Sequence, residues 1–325
     1  MQQRTLGVSG PSSSEIAFGA MALTGIYGDV AERDALATLE QARAAGITHI
    51  DTAEVYGSGD NERLVGRAIA GVRDEVLLAT KFNFRQYADA GDRPWAEVID
   101  GAIAGSLARL GVDHVDIWYL HRVPLDRPIE ETWGPMSRAV ERGDVRYLGL
   151  SEASAVTIRR AHAVHPVTVL QSEWSLLTRD VEDDILPTVR EIGAGFVAYS
   201  PLSRGLLGGR IRRPEDLATR DWRRQVPRFR GDDLVANFAI VDRLAAFASA
   251  RGVTLAQLAL AWLLAQGNDV VPLVGARSPA HIADSAGAAA VALSPGDLRE
   301  LDAIAPPGAA SGDRYPADYM PGLVR

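Results

Sequence analysis

Eight βα units closing into one (β/α)8 barrel, an α/β fold, is the fold class this sequence predicts. Three observations predict it. Eight short apolar or β-branched runs recur along the 325 residues. Segments with apolar residues at helical spacing separate them. Strands separated by helices pair in parallel, and eight such units in roughly 300 residues suit a barrel better than a doubly wound sheet.

The runs read in order as EIAFGAM (15–21), ITHIDTA (47–53), EVLLATK (75–81), HVDIWYLH (114–121), VRYLGLS (145–151), VTVLQSEW (167–174), GFVAYSP (195–201) and DVVPLVGA (269–276). Between the first two, Ala35, Leu36, Leu39, Ala42 and Ala45 form a helical stripe that Gly46 stops. NERLVGRAI follows the second run. Pro94 near its start and Gly111 at its end bound the helix after the third. IEETWGPMSRAVERG, SAVTIRRAHAV, DILPTVREIGA and PAHIADSAGA continue the pattern. Residues 1–14 are expected as a hairpin over the bottom of the barrel. ANFAIVDRLAAFASARG and TLAQLALAWLLAQ are extra helical segments before the eighth run. Ser294 caps a last helix. The Gly/Pro-rich end, PGAASGDRYPADYMPGLVR, is expected as a loop over one face. No linker divides the chain, so residues 1–325 read as one domain.

Bulk composition narrows the function. Net charge is −8, so no basic excess exists to hold a nucleic acid. There is no cysteine, which removes disulfides, thiolate nucleophiles and Cys-based metal sites. No His/Asp/Glu cluster has metal spacing. The N-terminus lacks the apolar core of a signal peptide, and LAQLALAWLLAQ is too short to span a bilayer. A cytoplasmic protein with no membrane partner is expected; the oligomeric state stays open.

Lys and Arg number 34, and Lys81 is the only lysine. It closes the third strand run. In this barrel the active site lies at the C-terminal ends of the strands, so polar residues closing the runs are the catalytic candidates. These are Asp51, Thr52, Lys81, His121, Ser151, Glu152 and Gln171, with Tyr56 in the loop beyond Asp51. A lysine in the mouth of a barrel needs a carboxylate partner, which Asp51 can supply. Its charge beside the Tyr56 phenol is expected to lower the phenol pKa and make it a general acid or base. His121 can donate a hydrogen bond to a carbonyl. His49 and His114, at strand starts, are expected to be structural, and His162, His165 and His281 to be at the surface. Trp118 alternates away from His121 and is expected in the core.

ITHIDTAEVYG (47–57), with LLATK (77–81) and IWYLHR (117–122), resembles the aldo-keto reductases, NADPH-dependent enzymes on a (β/α)8 TIM barrel. FGAMALTGIYG, YLGLSEAS, QSEWSL, AYSPLSRGLLGG and PLVGARSPAHIADSAGA occupy the expected later positions, so the resemblance covers essentially the whole chain. It implies Tyr56 as proton donor, Lys81 tuning it, Asp51 holding Lys81, and His121 orienting the carbonyl. It implies Ser151 and Gln171 at the nicotinamide carboxamide, where Glu152 replaces the usual Asn, and Tyr199 stacked on the ring. Gly19 and Met21 are placed beside the cofactor. Ser200, Leu202, Arg204 and Gly205 are placed at the pyrophosphate, through backbone N–H groups and one cation. Gly275, Arg277 and Ser278, with Asp284 and Ser285 where Glu and Asn are common, would serve the 2′-phosphate and adenine. Arg277 favours NADPH over NADH. The substrate, an aldehyde or ketone, would meet Met21, Ala22, Tyr27, Tyr56, Phe82, His121, Arg122 and Trp174. Arg212, Arg213, Arg220, Arg223 and Arg224 are expected in a solvated, partly mobile loop that could close over the cofactor. Two other readings of the same residues stay open: a Schiff-base lyase using Lys81, and a non-catalytic NADPH-binding regulatory subunit.

Overall fold

The structure, a computed structural model, describes residues 1–89, 91–321 and 323. Two short strands, β1 (Gln3–Thr5) and β2 (Ser12–Ser14), form an antiparallel hairpin. Eight parallel strands then close a barrel: β3 (Ala17–Gly19), β4 (His49–Asp51), β5 (Leu77–Phe82), β6 (Val115–Leu120), β7 (Val145–Ser151), β8 (Val169–Glu173), β9 (Gly195–Tyr199) and β10 (Val270–Val274). β10 pairs with β3 to complete the ring. All eight strand runs read from the sequence are strands; 145–151 matches its strand to the residue, the strand of 75–81 starts two residues later and runs one residue further, and the other six are shorter than their runs. The first stops at Gly19, where the chain turns into a 3-10 helix over Ala20–Thr24.

The strands alternate. Ala17, Leu77, Ala79, Ile117, Tyr119, Val169, Val197, Val271 and Leu273 pack inside the barrel, with Leu6 of the hairpin turn joining them from below. The intervening residues, Ile50, Leu78, Phe82, Trp118 and Leu148 among them, pack outward against the helices. Each large apolar side chain buried this way contributes about 1.5–3 kcal/mol. Gly149 is required by a close approach: a Cβ there would lie 2.4 Å from the Tyr119 ring, which fills the barrel interior. Arg4 ties the hairpin to the bottom of the barrel through the carbonyls of Leu264, Gly267 and Val270. His49 is buried there, and its Nδ1 lies 3.0 Å from Ser13 Oγ. Burial holds its pKa down to about 3, so it is a neutral structural residue. His162, His165 and His281 are half-buried rather than at the surface.

The extra helices after β9 are Gly231–Ala250 and Leu255–Leu264. Thr254 and Gln257 cap the second one reciprocally. No single helix among the described residues is long and apolar enough to cross a membrane. The last helix, Pro295–Ile304, starts at Ser294 as expected. After it the chain runs to a short 3-10 turn at Ala317–Tyr319. Residues 322, 324 and 325 of the expected terminal loop lie outside the described residues.

Candidate active site

Parallel register places the polar strand ends side by side. Asp51 ends β4, and β5 carries Lys81 one pleat further along the same inward face. The Lys81 ammonium donates to an Asp51 carboxylate oxygen and, over 2.8 Å, to the Thr52 carbonyl. Gln171 Nε2 donates to the second Asp51 oxygen at 3.0 Å. Both charges are about 1% exposed. Burial pushes the Asp51 carboxyl up and the Lys81 ammonium down, and each charge opposes the shift of the other. A pair this deep is held by geometry and by its extra hydrogen bonds.

Tyr56 reaches the same place from the loop after β4. Its own N–H donates to the Ala53 carbonyl. Gly57, Ser58 and Gly59 follow in left-handed conformation and turn the chain into the helix Asp60–Ile69. Asn61 in that helix accepts from Thr52 Oγ1 at 2.7 Å and donates to the Ala20 carbonyl at 3.0 Å, fastening the loop. Lys81 Nζ lies 5.1 Å from the centre of the Tyr56 ring. His121, just beyond β6, meets Tyr56 edge-on with ring centroids 5.6 Å apart. The structure thus brings Asp51, Tyr56, Lys81 and His121 together, as expected from the sequence.

The electrostatics correct one expectation. Burial raises the Tyr56 pKa well above its ordinary value, Asp51 adds to the rise, and Arg122 opposes it. The phenol is therefore kept protonated, whereas a lysine-lowered phenol was expected. His121 is held neutral by burial first, then by the positive charges of Arg122, Lys81 and Arg85. Its Nδ1 is buried without a partner among the described residues.

On the neighbouring strand ends, Ser151 Oγ accepts from Arg122 Nη1 at 3.3 Å. Glu152, in left-handed backbone at φ 54°, is buried. Its carboxylate takes Arg314 by two bonds of 3.0 and 2.8 Å and accepts from the Glu173 N–H. That bidentate cation holds the Glu152 pKa down against its burial. Glu173 receives Arg204 at 3.2 and 2.7 Å. Tyr199 shares a hydrogen bond with Tyr315 across 3.1 Å, and the Arg204 guanidinium lies 4.3 Å from the Tyr315 ring centre. Glu173, Arg314 and Tyr315 were not singled out in the sequence. The last two lie in a Gly/Pro-rich tail that carries no periodic signal.

The loops that carry most of the residues expected along the cofactor meet one another: Arg277, after β10, bonds the Tyr27 carbonyl, after β3, and the Trp222 N–H, after β9, donates to the Ile26 carbonyl. Ser200, Ser203, Arg204 and Gly205 all have positive φ, a backbone concavity suited to a phosphate. The Arg204 side chain is engaged by Glu173, which leaves its backbone to line that concavity. Arg277 is half-buried, bonds the Tyr27 carbonyl, and has no ion pair among the described residues. A cation without a carboxylate partner among the described residues is the kind a 2′-phosphate recruits. Ser278 starts the helix Pro279–Ala286. Asp284 accepts from Thr254 and Gln257 at 3.1 Å, which ties it to the neighbouring helix, and Ser285 is buried. Gly19 ends β3 beside Asp51. A Cβ at Gly19 would lie 3.3 Å from Leu273. Gly275 faces Ala22, and Met21 is half-buried.

Two expected substrate-wall residues point elsewhere. Phe82 is fully buried on the outer face of β5, against Tyr87, Trp95 and Trp118. Lys81 takes the inward position, so the next residue must face the helices. Trp174 is likewise outside the barrel, packed on Phe196 and Trp262, with its indole N–H on Glu182. Ala22 is buried, while Tyr27, Tyr56 and Arg122 remain partly accessible around the mouth. Arg223 also departs from expectation. It is buried, bonded to Asp221 and to the Arg204 carbonyl, and stacked on Tyr27 at 4.7 Å. Arg212, Arg213, Arg220 and Arg224 are exposed as expected.

Comparison with known proteins agrees with this geometry. The model of the Aldo/keto reductase family matches residues 15–306. A soybean (Glycine max) protein described as probable aldo-keto reductase 1 is 44% identical over 319 residues, covering 97% of this chain and 92% of that protein. The glycerol dehydrogenase AKR11B4 from Gluconobacter oxydans superposes with a TM-score of 0.82 at 28% identity, over 93% of this chain and 94% of that one. An aldo-keto reductase from Klebsiella pneumoniae, solved in complex with NADPH, superposes with a TM-score of 0.73 at 27% identity, over 97% and 99% of the two chains.

Proposed function

The chain belongs to the aldo/keto reductase family, and on that premise we propose that it is an NADPH-dependent carbonyl reductase acting through one barrel unit over residues 1–325. The observation that carries the reading is the Tyr56 phenol, held protonated beside a neutral His121 and backed by the buried Lys81–Asp51 pair. A phenol in that state is a proton donor at neutral pH.

The loops after β9 and β10 fit a dinucleotide phosphate on this chain's own features. The left-handed residues Ser200, Ser203, Arg204 and Gly205 suit the pyrophosphate, and the Arg277 guanidinium, which has no ion pair among the described residues, suits a 2′-phosphate. Ser151 and Gln171 stand at the strand ends where the carboxamide would be held, with Tyr199 as the stacking surface. Glu152 is held in place by Arg314 and the Glu173 N–H, so a remaining lone pair would serve the carboxamide only as a fixed acceptor. When bound, NADPH supplies the hydride that reduces the carbonyl carbon. Tyr56 donates its proton to the carbonyl oxygen as negative charge develops there. His121, neutral, donates a hydrogen bond to the same oxygen and orients it. Lys81 stabilises the phenolate left on Tyr56, and Asp51 fixes Lys81. Orientation and charge stabilisation at the oxygen supply most of the rate.

The Schiff-base reading finds no support in the geometry, since the Lys81 ammonium is committed to Asp51 and the Thr52 carbonyl. The test is direct. Purified protein with NADPH and an aromatic aldehyde loses the reduced-nicotinamide absorbance, and Tyr56→Phe abolishes the loss while still binding NADPH. A fully active Tyr56→Phe would sink the mechanism, and tight NADPH binding without turnover by the wild type would point to a regulatory subunit.

A further inference from the structure

We propose that Arg122 makes this a site for carbonyl substrates that carry an anionic group, a carboxylate or a phosphate monoester. The proposal rests on the reductase reading and names its substrate class.

The cations around the barrel mouth are not equivalent. Lys81 is closed by Asp51. Arg204 and Arg314 are closed by Glu173 and Glu152, and Arg228 lies 4.0 Å from Glu173. Arg223 is closed by Asp221. Arg122 has no carboxylate within ion-pair distance among the described residues; Glu152, itself held by Arg314, acts on it only from farther off, and Tyr56, Ser151 and Tyr199 lie around it. Its Nη1 donates to the His121 carbonyl at 2.6 Å and to Ser151 Oγ at 3.3 Å, which fixes the guanidinium in place. Its Nε and Nη2 have no hydrogen bond to described residues and are not sealed from solvent. Those two nitrogens are one edge of the planar fork, the edge that receives a carboxylate or phosphate by two parallel bonds.

Position adds to the case. The Arg122 guanidinium bonds the His121 carbonyl, and its charge bears on both Tyr56 and His121, so an anion on its free edge lies near the groups that would meet the carbonyl oxygen. A rigid cation is useful there because its orientation is already set before the ligand arrives. The chain as a whole carries a net charge of −8, so an unmatched cation in this mouth is not a consequence of a basic surface. An apolar aldehyde would leave the free edge to water and gain nothing from it.

The experiment uses matched pairs with the full chain and saturating NADPH: 4-carboxybenzaldehyde against its methyl ester, and glyceraldehyde 3-phosphate against glyceraldehyde. The charged member of at least one pair is expected to have a kcat/KM about tenfold or more above its neutral twin, mainly through KM, as befits a charge-assisted bidentate contact. Which pair shows the gain separates carboxylate from phosphate. Arg122→Met should bring that ratio to one or below, and Arg122→Lys should keep part of it. The ratio is read within each variant, so a general loss of activity does not affect it. A wild-type ratio at or below one in both pairs overturns the proposal. So does an unchanged ratio in Arg122→Met, including the case where that variant only weakens NADPH binding. If neither member of any pair is reduced, the reductase reading fails instead. Calorimetry of benzoate against benzamide then decides the inference: benzoate binding lost in Arg122→Met sustains it, and equal affinities overturn it.

Discussion

Glu54 should make the stability of this protein fall as pH rises from 4.5 to about 7, and Glu54→Gln should remove the effect. Glu54 is two residues before Tyr56, in the same loop, and is 3% exposed. Its carboxyl accepts from the Asn83 N–H at 2.6 Å and from the Tyr87 hydroxyl at 2.8 Å, so it joins the loops after β4 and β5. Arg109 is the nearest cation, 3.9 Å away, and its Nε is bonded to Glu62 instead. Burial is the largest influence and lifts the pKa to about 7; the Asn83 and Tyr87 bonds oppose it, the Glu62 charge adds to it, and Arg109 opposes it weakly. The sign follows from proton counting. Between the unfolded value of 4.5 and the folded value of about 7, the folded chain binds more protons, so stability declines as pH rises across that window. Below it the residue costs nothing, and above it the full cost applies. A shift from 4.5 to about 7 corresponds to about 3 kcal/mol. Glutamine has the same shape and no titration. Urea unfolding of wild type and Glu54→Gln at pH 4.5 and pH 8 tests this. The stability difference should move by about 3 kcal/mol in favour of the variant at the higher pH. A difference that does not change with pH would refute the reasoning.

Two other substitutions follow from the same geometry. Lys81→Arg keeps the charge but puts a planar fork where a compact ammonium serves Asp51 and the Thr52 carbonyl in a sealed slot. It should lower kcat by about a hundredfold or more while NADPH affinity is kept, as single-turnover and binding assays would show. Arg314→Met removes the bidentate partner of the buried Glu152 and should destabilise the protein by about 3 kcal/mol in urea unfolding at pH 7.

The site's inner part was legible in the sequence because a barrel converts a one-dimensional rule into a place. Asp51, Lys81, His121, Ser151 and Gln171 each close or sit near the end of an apolar run, and parallel pairing gathers such ends at one face. The same alternation that set Trp118 aside also excludes Phe82, because Lys81 holds the inward position before it. Reading Phe82 as a wall ignored that constraint. Trp174 was misplaced because the run 167–174 was carried one residue past the strand, which ends at Glu173. Arg223 was read from composition as a solvated residue, and composition does not show that Asp221 folds back onto it. Arg314 meets Glu152 across 162 positions of chain, and no local pattern reports such a contact. Glu54 had a readable clue, an acidic residue between Asp51 and Tyr56 in the loop after β4, but its clamp to Asn83 and Tyr87 depends on how two loops meet.

The reversed direction of the Tyr56 shift bears on what the site is prepared to do. A lone cation near a phenol favours phenolate, and at an effective dielectric of about 20 a charge 5 Å away is worth ~3 kcal/mol. Lys81 is not alone. Asp51 is bonded to the same ammonium, so the phenol experiences a pair whose fields largely cancel, and Asp51 itself raises the phenol pKa. Desolvation then dominates, and the resting side chain keeps its proton. That state suits proton donation to a carbonyl oxygen better than proton removal from an alcohol. On the proposed chemistry, the Lys81 charge matters after transfer, when the phenolate needs stabilising in a dry site. The Lys81–Asp51 pair therefore acts more as a fixed dipole for the product state than as a device for ionising Tyr56 beforehand, which is why a substitution that keeps the charge but moves its centre should still be costly.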